Sequence, residues 1–227
     1  GWPGSIGVPV YVGYTMTMKG INRGISDISD LLLRIRSGSI RISGFRTMNG
    51  TKYLLEHGQT RRLLFRKFKA GDFDTWLPFF KDPGSTAFWE GIPESSEVAC
   101  KQQFDRIFER YEKGLGGMNA LIDREHKGLV GMCGLLIQHV DGVRELEIGY
   151  SLLPEYRGQG YASEAGKYCR DQAFENAWAA SLISIIHVKN TPSMRVASRL
   201  GMTLDKTTLY KNNPVHIFRV DKAEGYK

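Results

Sequence analysis

The apolar and polar residues of this chain follow regular periods from Thr60 onward. Residues 61–68, RRLLFRKF, form a strand-like run. A short helix is predicted next, opened by Asp72 or Thr75, and Pro78 is acceptable only in its first turn because proline removes a hydrogen bond further inside a helix. This part of the chain is therefore predicted to run from strand to helix.

A longer amphipathic helix is predicted between Ser95 and Lys113. Its apolar residues recur at helical spacing: Phe104, Ile107, Phe108 and Tyr111. Ser95 or Ser96 can cap the first turn, and Gly114 can end the helix in a left-handed conformation.

Three strand-like runs follow and predict an antiparallel meander, over residues 118–123, 129–138 and 143–153. The third run enters a glycine-rich loop and then a helix from about 161 to 177. The buried stripe of that helix is marked by Ala162, Ala165, Cys169 and Ala173.

The last part of the chain predicts a strand, a short helix and two more strands. A β-branched run covers 182–188, and the short helix has Pro192 in its first turn and Gly201 after its end. The final strands are expected near 202–210 and 215–220. Together these elements predict a mixed α/β domain of about 170 residues.

The first fifty residues differ in composition, being rich in Gly, Ser, Ile and Arg. A short helix is predicted at 27–36 and a hairpin turn at Asn49-Gly50. Position 1 is Gly rather than Met, which indicates processing or a sequence prepared for expression. We therefore divide the chain into an N-terminal appendage at 1–50, either expression-derived or a short arm, and a domain at 51–227.

Composition and charge narrow the classes of function. Hydrophobic residues make up 41% and charged residues 24%, as in folded globular proteins. The net charge of +7 divides into +4 for residues 1–50 (6 basic, 2 acidic) and +3 for the remainder (25 basic, 22 acidic). Because the excess is not clustered on one recognition element, a nucleic-acid partner is not expected.

Two further features bear on location. The three cysteines, Cys100, Cys133 and Cys169, are far apart in sequence and do not have metal-site spacing, which favours a reducing cytoplasm and no metal. Residues 1–18 carry no charged residue, but four glycines and two prolines argue against a signal peptide or a membrane helix.

The loop at 157–162 is the strongest candidate for chemistry. It comprises Arg157, Gly158, Gln159, Gly160, Tyr161 and Ala162, between a predicted strand and a helix start. Free N–H groups and the helix dipole favour an anion there, and the glycines let a pyrophosphate approach the backbone. Ser163 breaks the GxGxxG pattern of dinucleotide sites, and no GxxxxGK[ST] loop is present. The alternative is a tight connection without a ligand.

These residues resemble motif A of the GCN5-related N-acetyltransferases (GNAT), [QR]xxGx[GA], through Arg157, Gly160 and Ala162. The similarity extends over ELEIGYSLLPEYRGQGYASEA and NTPSMRVASRLGM, which resemble the RimJ/RimL branch, and it covers about residues 60–221. The implied fold is α/β, with a mixed, mostly antiparallel central sheet that is splayed at the cofactor site and flanked by helices.

The resemblance also implies roles for individual residues. The loop would hold the acetyl-CoA pyrophosphate, and Leu152 and Leu153 would supply backbone for the pantetheine arm. Asn190 is either a cofactor contact or an ordinary helix cap. Ala197 stands where many members have a tyrosine general acid, so Ser193 is the candidate, although a serine in a first helical turn is often structural.

A base is also needed, because only a neutral amine attacks a thioester. Glu145 and Glu147 alternate onto one strand face, roughly 7 Å apart. Like charge at that distance raises a carboxylate pKa toward a useful range. Glu147 matches the family's position and is the candidate base; the alternative is a pair of solvated carboxylates.

The sequence therefore favours an acetyl-CoA-dependent N-acetyltransferase that works by direct attack in a ternary complex. Its acceptor would be a primary amine, on a protein N-terminus or a small molecule, and the enzyme would be a cytoplasmic monomer or homodimer without a membrane partner. The alternative is a noncatalytic acyl-CoA-binding module whose basic N-terminal arm engages a protein or RNA.

Overall fold

The computed structural model describes residues 52–88 and 90–223. The helix predicted at 27–36, the turn at 49–50 and the appendage at 1–50 lie outside these residues. The described part contains seven strands: β1 (Leu63–Lys67), β2 (Gly116–Asp123), β3 (Leu129–Val140), β4 (Val143–Leu152), β5 (Ser181–His187), β6 (Thr203–Tyr210) and β7 (Asn213–Asp221).

Five α-helices accompany the strands in the described part of the chain: α1 (Phe73–Lys81), α2 (Pro83–Thr86), α3 (Ser96–Lys113), α4 (Tyr161–Glu175) and α5 (Thr191–Arg199). The caps predicted for α3 are confirmed, with Ser95 accepting from the Val98 N–H and Gly114 at φ 64°. The prediction for Pro78 was wrong: it lies inside α1, beyond the first turn. Neighbouring aromatic packing outweighs the lost hydrogen bond, since α1 buries Trp76 completely.

The strands form one sheet in the order β1-β2-β3-β4-β5-β7-β6. All neighbours are antiparallel except β4 and β5. The β3–β4 ladder runs over the full length of β4, whereas β4 and β5 pair only at Glu147 and Ile183. The second half of β4 therefore separates from β5, as the sequence resemblance implied.

Helices cover both faces of the sheet. The stripe predicted for α4 is buried against β3 and β4, in a core that includes Cys169, Ile148 and Phe174. On the opposite face, α1 and α3 bury Trp76 and Phe104 against β2 and β3. This layered arrangement fixes the loop between β4 and α4 at the mouth of the separation between β4 and β5.

Candidate functional site

The glycine loop has the backbone conformation that its sequence predicts. Gly158 and Gly160 have φ values of 74° and 82°, and Gly160 stands at the N-cap of α4 without a side-chain cap. The N–H groups of the first turn of α4 therefore lack the usual capping oxygen and can receive an anion. A Cβ at Gly158 would meet open space, so this position is needed for its φ rather than for room.

Arg62 stands beside this loop and was not identified from the sequence. Its guanidinium lies 4.2 Å from the Tyr161 ring centroid, pairs with Glu164 at 2.7 Å and donates to the Gln159 carbonyl at 3.0 Å. A Cβ on Gly160 would lie 3.5 Å from Arg62 Nη2. The loop thus has a cation at its edge, contributed by a residue about a hundred positions earlier in the chain.

The side chains of Arg157 and Gln159 are engaged within the protein. Arg157 pairs with Asp82 at 2.7 Å, donates to Ser85 Oγ and reaches the Leu152 carbonyl at 3.3 Å. Gln159 Nε2 donates to the Glu155 carbonyl at 2.8 Å. Arg157 therefore fastens the loop to the α1–α2 corner, and the side chains of both residues have partners within the protein.

The gap between β4 and β5 exposes backbone of β4. In an antiparallel ladder alternate residues direct their N–H and C=O to one neighbour. The Leu153 N–H bonds the Val130 carbonyl at 3.0 Å and so faces β3, which leaves Tyr150 and Leu152 facing β5 beyond the last paired residue. Of the two leucines predicted to meet a pantetheine arm, Leu152 has its backbone on the open side and Leu153 does not.

Glu147 lies at the base of a cleft on the α3 face of the sheet. Gln138 Nε2 donates to Glu147 Oε2 at 2.7 Å, and the Tyr210 hydroxyl donates to Gln138 Oε1 at 2.9 Å. Burial raises the pKa of Glu147, opposed by the Gln138 hydrogen bond and by the charge of Arg110. The carboxyl is thus positioned by a fixed partner and has a raised pKa, as a general base requires.

The expected reason for that raised pKa was wrong. Glu145 does lie on the same strand face, but Arg219 pairs with it at 2.7 Å through two nitrogens. That guanidinium, which also pairs with Asp205 at 3.0 Å, neutralises the Glu145 charge. Desolvation, rather than a like charge, therefore raises the pKa of Glu147.

Asn190 and Ser193 lie at the start of α5, on the other face of the sheet. Asn190 Oδ1 accepts the Ser193 N–H at 3.2 Å, so the helix-cap alternative is realised in the structure. The Tyr150 hydroxyl donates to the Ser193 carbonyl at 2.8 Å and ties this helix start to β4. Among the described residues the Ser193 hydroxyl has no hydrogen-bond partner. It is therefore free to serve as a donor.

The cleft that contains Glu147 has a volume of about 350 Å³. Its apolar lining includes Ile107, Met118 and Leu136. Its charged lining comes from α3, β4 and the β6–β7 turn, and consists of Arg106, Glu109, Arg110, Lys113, Glu147 and Lys211. Gly149 also lines the cleft, on the part of β4 that has left β5, so the cleft reaches the gap.

Within residues 52–88 and 90–223, no three His, Cys, Asp or Glu side chains are grouped so that they could hold a metal ion. No helix there has the length and apolar character to cross a membrane. The three cysteines are buried as free thiols, and Cys133 and Cys169 lie 3.5 Å apart at sulfur.

Comparison with known proteins adds family information to this geometry. The model of the acetyltransferase (GNAT) domain family matches residues 62–203, well over half of the chain. The chain is 28% identical over 140 residues to YkkB of Bacillus subtilis, covering 61% of this chain and 80% of YkkB. It is 27% identical over 143 residues to the N-acetyltransferase p20 of Bacillus licheniformis, covering 63% of this chain and 79% of p20.

Solved structures share the fold. An acetyltransferase from Agrobacterium tumefaciens superimposes with a TM-score of 0.62 and 24% identity, over 72% of this chain and 92% of its own. The RimL ribosomal L7/L12 α-N-protein acetyltransferase, in complex with coenzyme A, gives 0.58 and 16%, over 73% of this chain and 97% of its own. The mostly antiparallel, splayed α/β fold expected from the sequence is thereby confirmed.

Proposed function

Since the chain belongs to the GNAT acetyltransferase family, with RimJ/RimL-like structural neighbours, we propose that it transfers the acetyl group of acetyl-CoA directly to a primary amine within a ternary complex. GNAT proteins use acetyl-CoA, and acetyl transfer is the activity of the family. The identity of the acceptor and the roles of individual residues are the parts that we propose.

The glycine loop would hold the donor. The first-turn N–H groups of α4, with Gly158 and Gly160 in positive φ, favour a pyrophosphate at that point. The Arg62 guanidinium beside Gly160 adds positive charge. Tyr150 and Leu152 present strand backbone to the gap, where an extended pantetheine arm would complete the missing ladder. This fit supports acetyl-CoA as the substrate of the site.

Glu147 would accept the proton of the amine, directly or through water. Removing the proton from a lysine-like ammonium group of pKa about 10.4 at pH 7 costs roughly 4 to 5 kcal/mol of free energy. The cost for an α-amine of pKa about 7.8 is only about 1 kcal/mol. An α-amine therefore demands less of the Glu147 carboxyl, whose pKa is raised by burial, than a lysine side chain does.

The leaving thiolate needs a proton from the other side. The Ser193 hydroxyl lies across the sheet from Glu147, at the start of a helix anchored to β4 through Tyr150. In this arrangement the amine nitrogen attacks the acetyl carbonyl from the cleft, the C–S bond breaks, and the sulfur takes the proton of Ser193. Water then reprotonates Ser193, and Glu147 releases the amine proton to solvent. The Tyr150 N–H, facing the gap, is the proposed donor to the thioester oxygen.

One observation supports the proposal: β4 pairs with β5 only at Glu147, beyond that residue β4 continues without a β5 partner toward the glycine loop, and the Glu147 cleft reaches Gly149 in the same stretch. The RimL neighbour acts on an α-amino group of a protein, and that supports a protein N-terminus as one acceptor class. A small-molecule amine of suitable size is the other.

The test is release of free CoA thiol from acetyl-CoA with a panel of amines: short peptides with free N-termini, amino acids, polyamines and aminoglycosides. We expect turnover with at least one class and a raised melting temperature with acetyl-CoA alone. A protein that is stabilised by acetyl-CoA but turns over no amine would instead be the noncatalytic acyl-CoA-binding module.

A further inference from the structure

The charges of the cleft carry an inference about the acceptor, which rests on the proposed function. Lys113 is paired with Glu109 at 2.5 Å, so this cation is already compensated. The remaining charged lining is Arg106, Arg110, Lys211 and Glu147. If Glu147 receives the proton from the amine, three cations stand around a carboxyl that becomes neutral.

None of these three cations has a carboxylate partner within hydrogen-bond distance among the described residues. Arg110 donates from Nη2 to the backbone carbonyls of Leu115 and Ile137, at 3.1 and 2.6 Å. Its Nε is buried without a hydrogen-bond partner, and burial lowers the pKa of the guanidinium. Lys211 lies over the Tyr210 ring at 5.2 Å from the centroid, and Arg106 is exposed on α3.

We propose that the acceptor is an amine that carries an anionic group, a carboxylate or phosphate, a few atoms from its nitrogen. When such an amine meets Glu147, its anion lies among Arg106, Arg110 and Lys211. A polyamine or an aminoglycoside would bring further positive charge against the same three cations, and like charges in a partly desolvated cleft repel. The cations also disfavour the ammonium form of the bound amine, and the neutral form is the one that attacks the thioester.

Two sources share this chemistry, an acidic peptide N-terminus and a free amino acid or similar small molecule. The experiment compares kcat/KM, at saturating acetyl-CoA, for three C-terminally amidated peptides: Ser-Glu-Leu, Ser-Gln-Leu and Ser-Lys-Leu. The α-amides of glutamate and glutamine, together with spermidine, form the small-molecule arm. We expect the acidic member of each matched pair to be preferred by about tenfold, with the cationic members poorest, and the preference to shrink at high salt.

Variants connect the preference to the cleft. Arg106→Gln should reduce the ratio of Glu to Gln peptide by about threefold or more, and Arg106→Glu should invert it. Lys101→Glu is the matched control, because Lys101 lies on the same helix, exposed and outside the cleft, in an i,i+4 pair with Asp105. It should leave the ratio unchanged.

The outcomes separate the two levels of the proposal. Equal rates for the acidic and neutral acceptors, or equal effects of Arg106→Glu and Lys101→Glu, would overturn the anionic acceptor and leave acetyl transfer standing. Absence of turnover with every amine would overturn the proposed function itself and the acceptor inference with it. A preference confined to one arm identifies the source of the anion.

Discussion

The glycine loop and the proposed acceptor cleft are built in opposite ways. The loop at 157–162 is one continuous segment, and the groups proposed to bind the pyrophosphate are backbone N–H groups at the start of α4. The cleft takes its side chains from α3, β3, β4 and the β6–β7 turn, which are separated by as much as a hundred residues. The Arg157 side chain even points away from the loop, toward Asp82.

This difference has a physical consequence. A backbone site depends on φ and on the absence of side chains, so any substitution that changes either should disable it. A side-chain site depends on charge and hydrogen bonding, so a change of a single functional group should alter its chemistry while the fold persists.

The largest effect is expected at the loop. Gly160→Asp should eliminate acetyl-CoA binding, because a residue with a Cβ is strained at φ 82° and its carboxylate repels the pyrophosphate. The measurement is the acetyl-CoA-induced rise in melting temperature, which should vanish.

Gly142→Asp provides the matched control for that variant. Gly142 has φ 78° in the β3–β4 turn, and a Cβ there meets nothing within 4 Å. It therefore carries the same strain and charge away from the loop, and it should keep the full acetyl-CoA shift. A normal shift in folded Gly160→Asp would remove the loop from the proposed site.

A chemical effect without a binding effect is expected at Glu147. Glu147→Gln keeps the shape but cannot accept a proton, so kcat should fall by about 10²-fold or more while acetyl-CoA binding is unchanged. The loss should be greatest for amines of high pKa and should diminish as the pH rises, because an amine already neutral in solution needs no base.

Glu145→Gln is the comparison within the same strand face. Arg219 neutralises Glu145, so this variant should alter stability more than the pKa of Glu147, and kcat should change by less than about threefold.

The pH dependence tests the role of Glu147 as a base. A ratio of Glu147→Gln to wild-type rates that stays flat from about pH 6.5 to 9.5 would make Glu147 a positioning residue only.

A smaller, directional effect is expected from the hydrogen bond that positions this carboxylate. The Gln138 N–H stabilises the charged form of Glu147, so Gln138→Leu should raise the Glu147 pKa further. The acid limb of the kcat/KM pH profile should then move to higher pH. Activity should be lost at pH values below the raised Glu147 pKa, where the carboxyl is protonated, and retained above it. His139→Leu, an exposed neighbour outside this hydrogen-bond chain, should leave the limb in place.

The smallest effect is expected from deletion of residues 1–47. All contacts proposed for acetyl-CoA lie between Arg62 and Ser193, within the segment that matches the family. Acetyl-CoA affinity should therefore change by less than about twofold. Calorimetric titration of both forms measures it. Loss of affinity in a truncated protein that remains folded would mean that the domain boundary at 50 and 51 is misplaced.

Much of the fold could be read from the sequence, because its signals are local. The 3.6-residue period and the caps Ser95 and Gly114 predicted α3, and the strand-like runs predicted the meander. Pro78 was misjudged because the packing of Trp76 and its aromatic neighbours, which holds α1 together, is a tertiary property.

The same distinction applies to the site. The sequence by itself determined the loop, since positive φ at Gly158 and Gly160 and a helix start after them are properties of consecutive residues. It also placed Glu147 on a strand face. Only the tertiary structure decided that Arg219 neutralises Glu145 and that Gln138 positions Glu147.

Arg62 at the loop and the cations of the cleft were likewise invisible to the sequence alone. These contacts join residues whose sequence separation carries no local signal, so the sheet register and the helix packing must bring them together. The sequence thus indicates where a backbone anion site is proposed, and the tertiary structure decides which charges line the proposed acceptor cleft.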